Sequence, residues 1–301
     1  MHVIVVNPRS GTARQYSRDG LIRLIHEQCR AAGIVDYEIL LASPRRLDGV
    51  LQEAARRADE LWVGGGDGTL RTAARHIAGT GKIFGVLPFG TMNLLARDLG
   101  IPLAPDQAIQ ALAAAPVDRI DIGRINGMPF LNKSALGLYP EMIIDRERRR
   151  RLFGYGKWPA MMRAAWRALR RHRTMRVTLD VDGERREIES PALVVATNGY
   201  EFRAGRLFRR PDLASGELTL YVSHARDWLG SVGQVARLFL GTLHRDPELE
   251  ILRSRAITIE FERTRPIAND GEVDFLGGPI HYAIDPRALT VRYPGRETPP
   301  Q

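Results

Sequence analysis

The stretch Gly64-Gly65-Gly66-Asp67-Gly68-Thr69 stands directly after the apolar run 60–64 (ELWVG) and directly before a helical pattern. It constrains the chain more than any other feature. Glycines let a backbone turn sharply and approach a ligand without a Cβ in the way. The helix that follows offers unpaired N–H groups and the positive end of its dipole, which suits a phosphate. Asp67, set in that loop, has the chemistry to hold a magnesium ion or to position phosphates. The residues make neither a P-loop, since no Gly-Lys-Ser/Thr follows, nor the dinucleotide fingerprint. A plain Gly-rich strand-to-helix turn is the alternative, and the density of glycines around one acid argues against it.

The pattern around this loop gives the fold class. Strands are expected at 2–7, 36–42, 60–64 and 82–88, and helices at 19–32, 47–58, 69–78, 92–99 and 106–115. Such alternation argues for a Rossmann-like α/β domain with a mostly parallel sheet and helices on both faces. From about residue 117 the pattern changes to successive strands, at 117–125, 128–136, 175–182, 192–197, 218–223, 256–262 and 288–293. One helix, roughly 158–171, interrupts them. Asp182-Gly183 is the expected centre of a hairpin. The chain is therefore expected to carry an α/β nucleotide-binding domain over 1–120 and an antiparallel β-sandwich-like domain over 121–294. The Pro-rich end, 295–301, is expected to be disordered.

Two further turns point to the edge that holds the Gly-rich loop. Asn7-Pro8-Arg9-Ser10-Gly11 closes the first strand, and Pro88-Phe89-Gly90-Thr91-Met92-Asn93 closes the fourth. In an open parallel sheet ligands sit outside the carboxyl ends of the strands, so these turns converge on one nucleotide pocket. A net charge of +9 favours an anionic partner, be it nucleotide or acidic membrane. Cys29 is the sole cysteine, which excludes an internal disulfide and a four-Cys zinc site. No run of 18 apolar residues occurs, and the amino terminus reads as a strand rather than a signal peptide, so a cytoplasmic location is expected.

These stretches carry a resemblance. VNPRSG (6–11), GGGDGTL (64–70), PFGTMNLLARDLGIP (88–102), RIDIGRING (119–127), ATNG (196–199) and NDGE (269–272) resemble, in order, the motifs of the diacylglycerol kinase catalytic-domain family. That family includes soluble bacterial diacylglycerol kinases and sphingosine kinases. The resemblance implies ATP binding by Asn7, Pro8, Arg9, Ser10 and Gly11, by the loop Gly65, Gly66, Asp67, Gly68, Thr69, Leu70 and Arg71, and by Thr91 and Asn93. Ser43 falls near a nucleotide-touching threonine of the family. Asp67 and Asp121 are implied to work with Mg2+ and the phosphates, and Glu272 to be the general base, with Asp270 beside it in the catalytic turn. A carboxylate such as Glu272 suits the task, because phosphoryl transfer needs an oriented hydroxyl that can shed its proton.

The sequence departs from the family at two places. Leu94-Leu95 follow Asn93 where members often have Asp-Phe. Ser215 stands where many bacterial members carry the Asp of a structural magnesium site, with Asp212 and Glu217 as the neighbouring carboxylates.

The reading is an ATP- and Mg2+-dependent lipid kinase, with ATP and the acceptor hydroxyl meeting in a cleft between the domains. The rivals are an NAD kinase, which shares the Gly-Gly-Asp-Gly-Thr stretch, and a non-catalytic lipid- or nucleic-acid-binding protein of the same fold. Expected partners are a lipid substrate and an anionic membrane surface; a homodimer is compatible with the reading. The surface contact is expected from 146–171, where RERRRR (146–151) precedes Trp158 and Trp166 flanked by arginines. A solvated basic face is the alternative. No nucleic-acid partner is expected, since no DNA- or RNA-binding signature accompanies the arginines.

Overall fold

The computed structural model describes residues 1–153, 173–204 and 209–295. The chain forms two compact units, Met1–Ile122 with Pro286–Gln301, and Gly123–Asp285. The expected helix 158–171 and residues 296–301 of the expected tail lie outside the described residues.

In the first unit, β1 (His2–Val6), β2 (Tyr37–Leu41), β3 (Glu60–Gly65) and β4 (Ile83–Pro88) pair in parallel in the order β2-β1-β3-β4. The connecting helices are α1 (Arg18–Ala31), α2 (Leu47–Arg57) and α3 (Asp67–Ile77). Every residue of β3 is buried, as expected of a central strand covered on both faces. The order in which strands are added to the sheet reverses between β1 and β3. A right-handed crossover then puts α1 on one face and α2 and α3 on the other, opening a crevice at the strand ends there. Past β4 come α4 (Leu94–Asp98), α5 (Pro105–Ala113) and β5 (Val117–Ile125).

Residues 286–295 belong to this unit, whereas a single boundary at 120 is expected from the sequence, with 286–294 in the later domain. The reason is local. Arg292 donates to both oxygens of the buried Glu60, at 2.6 and 2.9 Å, and Tyr293 N–H donates to the Pro116 carbonyl at 3.2 Å.

The second unit is a sandwich. One sheet is antiparallel throughout, in the order β12-β11-β10-β7-β14-β15. Its strands are β7 (Lys133–Gly137), β10 (Ala192–Thr197), β11 (Leu218–Ser223), β12 (Leu249–Ser254), β14 (Arg265–Asn269) and β15 (Glu272–Leu276). The other holds β8 (Met175–Val181), β9 (Glu184–Ser190), β13 (Ala256–Glu260) and the first part of β16 (Ile280–Arg292), with a hairpin of β5 and β6 (Met128–Phe130). Leu136, Val195 and Leu220 from the first sheet meet Val177, Ile259 and Tyr282 from the second in one core. The expected hairpin is present: Val181 pairs with Glu184 across Asp182 (φ 55°) and Gly183 (φ 86°).

Two helices join this unit beyond the sequence expectation, α6 (Leu138–Phe153) and α7 (Trp228–Leu240). No described helix is long and apolar enough to cross a membrane.

Candidate active site

In the first unit, Asn7 builds the turn after β1. Its N–H donates to the Gly64 carbonyl at 2.8 Å, joining the turn to the end of β3. Its Oδ1 accepts the Arg9 N–H at 3.0 Å, and its Nδ2 reaches Thr69 Oγ1 at 3.4 Å. Ser10 Oγ donates to the Asn7 carbonyl at 2.7 Å. Gly11 is dictated by packing, because a Cβ there would lie 2.6 Å from the Gly90 carbonyl carbon. A Cβ on Gly90 would in turn lie 2.6 Å from Gly66 Cα. Backbone thus touches backbone where the 7–11, 64–69 and 88–93 turns meet. The structure brings these three stretches together at the switch point.

The third turn is held from inside. Asn93, at φ 51°, accepts the Gly90 N–H at 2.8 Å and donates to the Pro88 and Gly90 carbonyls at 3.3 and 3.2 Å. Its side chain shapes the loop, while Thr91 is exposed on it. Asp67 Oδ1 accepts the Leu94 N–H at 2.9 Å, which ties the Gly-rich loop to the start of α4. No side chain caps α3 at Gly66, so its positive end is open to an anion. Pro8, Gly68 and Arg71 are half-buried around these turns, and Arg9 is exposed. Leu70 is a core residue whose N–H donates to the Gly66 carbonyl at 3.1 Å. Ser43 lies half-buried just past the end of β2, with its carbonyl accepting the Arg46 N–H at 2.9 Å.

Asp121 belongs to this unit too. It is 1% exposed on β5, and its Oδ1 accepts the N–H of Arg287, a residue held at φ 51°. That bond fixes a left-handed backbone position that an arginine adopts only at a cost. Magnesium is commonly held by one or two carboxylates together with substrate phosphates and waters. Asp67, half-buried at the start of α3, fits that use, while Asp121 spends one oxygen on the Arg287 N–H. Among the described residues no three His, Cys, Asp or Glu side chains gather in a way that could hold a metal ion.

In the second unit, Asn269 pairs with Glu272 across Asp270 and Gly271, a two-residue hairpin with both central residues at positive φ. The Asp270 carboxylate is 6% exposed and takes the backbone N–H groups of Leu131, Asn132 and Lys133 at 2.7, 2.8 and 3.1 Å. Those bonds break the expected single strand 128–136 into β6 and β7. Glu272 is exposed at the head of β15.

Ser215 Oγ receives the Asn198 side-chain amide at 2.8 Å, and Asp212 Oδ1 accepts the Ala214 N–H at 2.8 Å. A hydrogen bond, not a pair of carboxylates, thus spans this position, and the residues present do not fit a structural magnesium ion.

The sequence reading missed a cavity of about 310 Å³ within the second unit. Ala135, Val194 and Tyr221 line it from the sheet, Leu138 and Met142 from α6, and Val235 and Leu238 from α7. Its one lysine, Lys133, is 4% exposed, with Nζ 5.1 Å from the ring centre of Tyr139 and 6.0 Å from that of Tyr200. Tyr200 donates its hydroxyl to Asn132 Oδ1 at 2.7 Å, and its N–H donates to Tyr221 OH at 2.7 Å. Burial pushes the Tyr221 phenol up to about 12, so it stays neutral. A lone lysine inside the apolar stretch 130–137 was the signal available in the sequence.

The first unit is an α/β domain whose parallel sheet gathers glycine-rich turns at its switch point. The second is an antiparallel sandwich with an apolar cavity. Residues 1–125 match the diacylglycerol kinase catalytic domain, and residues 148–293 match the YegS C-terminal NAD kinase beta sandwich-like domain. The two matches together span nearly the whole chain, which joins a stretch like the diacylglycerol kinase catalytic domain to one like the YegS C-terminal domain.

Among its relatives is an uncharacterized protein of Synechocystis sp., 25% identical over 242 residues, or 76% of this chain and 54% of that one. Another, from Pseudomonas aeruginosa and named a probable lipid kinase YegS-like, is 47% identical over 79 residues, 26% of either chain. The matches thus span about half of the first relative and a quarter of the second. Two crystal structures from Bacillus anthracis str. Sterne, one described as a diacylglycerol kinase, superpose with TM-scores of 0.75 and 0.71. They are 24% and 20% identical, and each match covers 97% of this chain and 96% of the other, which establishes the shared fold.

Proposed function

We propose that the chain is an ATP-dependent lipid kinase, transferring the γ-phosphoryl group to a hydroxyl of a lipid such as diacylglycerol or a sphingoid base. The observation that carries the acceptor side is the apolar cavity of the second unit, small but within the range of ligand pockets, about 300–1,000 Å³. The names of the Pseudomonas relatives agree with it. This reading puts the protein in the cytoplasm, at the inner face of the membrane.

On the donor side, the 7–11 turn, the 65–71 loop, Ser43 and Thr91 bind the nucleotide. The open end of α3 faces its phosphates. Asp67 would hold Mg2+, which when bound neutralises charge on the transferring phosphoryl group. The acceptor oxygen bonds to the γ-phosphorus as the bond to the β–γ bridging oxygen breaks, and ADP leaves with that electron pair. Glu272 takes the hydroxyl proton. Asp270, committed to the 131–133 amides, and Asp121, committed to Arg287, are positioning residues.

The match to an NAD kinase-like sandwich favours a second reading, in which the acceptor is a soluble nucleotide. Labelled ATP offered with diacylglycerol, sphingoid bases, phosphatidylglycerol, undecaprenol-like alcohols or NAD separates the two. Label in a lipid supports the proposal; label in NAD alone, or in no acceptor, overturns it.

A further inference from the structure

The helix α7 is built as a two-sided element. Asp227 caps its start by accepting the Gly230 N–H at 2.8 Å, and Gly241 closes its end at φ 72°. Gln234 ties it to the sheet, accepting from Ser223 Oγ at 2.6 Å and donating to the Glu248 carbonyl at 3.1 Å. Yet Ser231 is its only buried residue, and most of WLGSVGQVARLFL is apolar. A helix this apolar is normally enclosed. This one is not: Leu229 is 59% exposed, Phe239 60% and Leu240 66%.

At 3.6 residues per turn the helix divides cleanly. Ser231, Gln234, Val235 and Leu238 fall on one side and line the apolar cavity. Leu229, Val232, Gly233, Ala236, Phe239 and Leu240 fall within an arc of roughly 120° on the other side, with no charge among them. Phe239 sits at the seam, both exposed and lining the cavity.

We infer that this outer stripe is a membrane-contact surface, which seats α7 in the headgroup region of a lipid bilayer above the cavity. A bilayer fits better than a second copy of the chain. The 13-residue helix is about 20 Å long and 10 Å wide, so the stripe offers on the order of 200 Å². A stable dimer needs about 800 Å² per partner, whereas an interfacial helix needs only an apolar face a few ångströms deep. The helix is also too short to span a hydrocarbon core of about 30 Å, so it lies in the interface. Arg237 is paired with the buried Asp246, and the exposed Arg226 stands next to Asp227. Attraction to anionic headgroups is therefore secondary, and apolar insertion carries the contact. Continuity between stripe and cavity gives a lipid a path along one helix.

This inference rests on the lipid-kinase reading, and its test does not. Purified protein is floated with vesicles of phosphatidylcholine and phosphatidylglycerol, without ATP, as wild type, Leu229→Asp, Leu240→Asp and Leu240→Met. Each Asp variant should lose about tenfold or more in vesicle partition, since one buried leucine is worth at least that much. Leu240→Met should bind like wild type, and the loss caused by each Asp variant should persist at high salt. Unchanged melting curves and ATP binding show that the variants fold. Equal flotation of wild type and both Asp variants overturns the inference. So does a wild-type dimer in sedimentation that Leu240→Asp dissociates without any vesicle binding. Loss of flotation with intact phosphorylation of a short-chain, water-dispersed acceptor separates this surface from the catalytic proposal.

Discussion

Replacing Asp270 by Asn isolates what its carboxylate does for the second unit. The position has φ 47°, which Asn tolerates about as well as Asp, so backbone strain hardly changes. The hydrogen bonds do change. One oxygen accepts from Asn132 and Lys133, the other from Leu131. An amide keeps one oxygen for the pair and turns an NH2 group toward the buried Leu131 N–H. Losing a bond to a charged acceptor costs about 1.5–3 kcal/mol, and converting the other two to neutral bonds costs part of that again. The sum is about 3 kcal/mol. At about 2–4 °C per kcal/mol for a unit of this size, the melting transition of the second unit should fall by roughly 6–12 °C. Calorimetry of wild type and Asp270→Asn reads this directly. An unchanged transition would show that the three amides do not depend on this carboxylate.

The other predictions concern both units. Asp67→Asn, which keeps an oxygen for the Leu94 N–H, should fold normally yet lose about two orders of magnitude in turnover; wild-type phosphorylation would remove Asp67 from the site. Arg292→Met leaves the buried Glu60 carboxylate without its partner and should cost the first unit about 3 kcal/mol in urea unfolding, and no loss would deny the ion pair any role. Burial raises the Glu60 carboxyl, but the hydrogen bonds from Arg292 and Trp62 outweigh it and hold the group below its ordinary 4.5. A depressed acid stabilises above its unfolded value, so the wild-type advantage over Arg292→Met should be full near neutrality and drain away as pH falls through that range; a gap that persists in acid contradicts it. Replacing Arg148, Arg149, Arg150 and Arg151 of α6 with Gln should weaken binding to anionic vesicles at low salt while ATP binding stays intact, and equal binding would leave those arginines a solvated face.

Much of the first unit was legible because its signals are local. Apolar runs mark β1, β3 and β4, and the glycine turns follow them in the chain. Asp182-Gly183 announced its hairpin for the same reason. What stayed hidden depends on distant partners. Nothing near Asp270 says that its carboxylate serves amides at 131–133, so Asp-Gly-Glu read as one catalytic turn. Nothing near Asn93 and Asp121, expected as ligand residues, says that their side chains also hold the Gly90 turn and the Arg287 backbone. The strand β9, ERREIES, is charged and mostly exposed; only its pairing with β8 makes it a strand. Two glycines, Gly230 and Gly233, weaken the helix signal of α7 in the sequence. Apart from Lys133, the cavity has no sequence signature, since it is shaped by α6, α7 and the sheet together.

The central claim is that Glu272 takes the acceptor's proton while other residues hold the nucleotide. Measuring ATP affinity by calorimetry and label transfer from γ-labelled ATP to lipid micelles, for wild type and Glu272→Gln, tests it most directly. The account predicts unchanged ATP affinity, with transfer lowered by a factor of about 10² to 10⁴. Transfer at the wild-type rate, or a fall in ATP affinity equal to the fall in transfer, would contradict it.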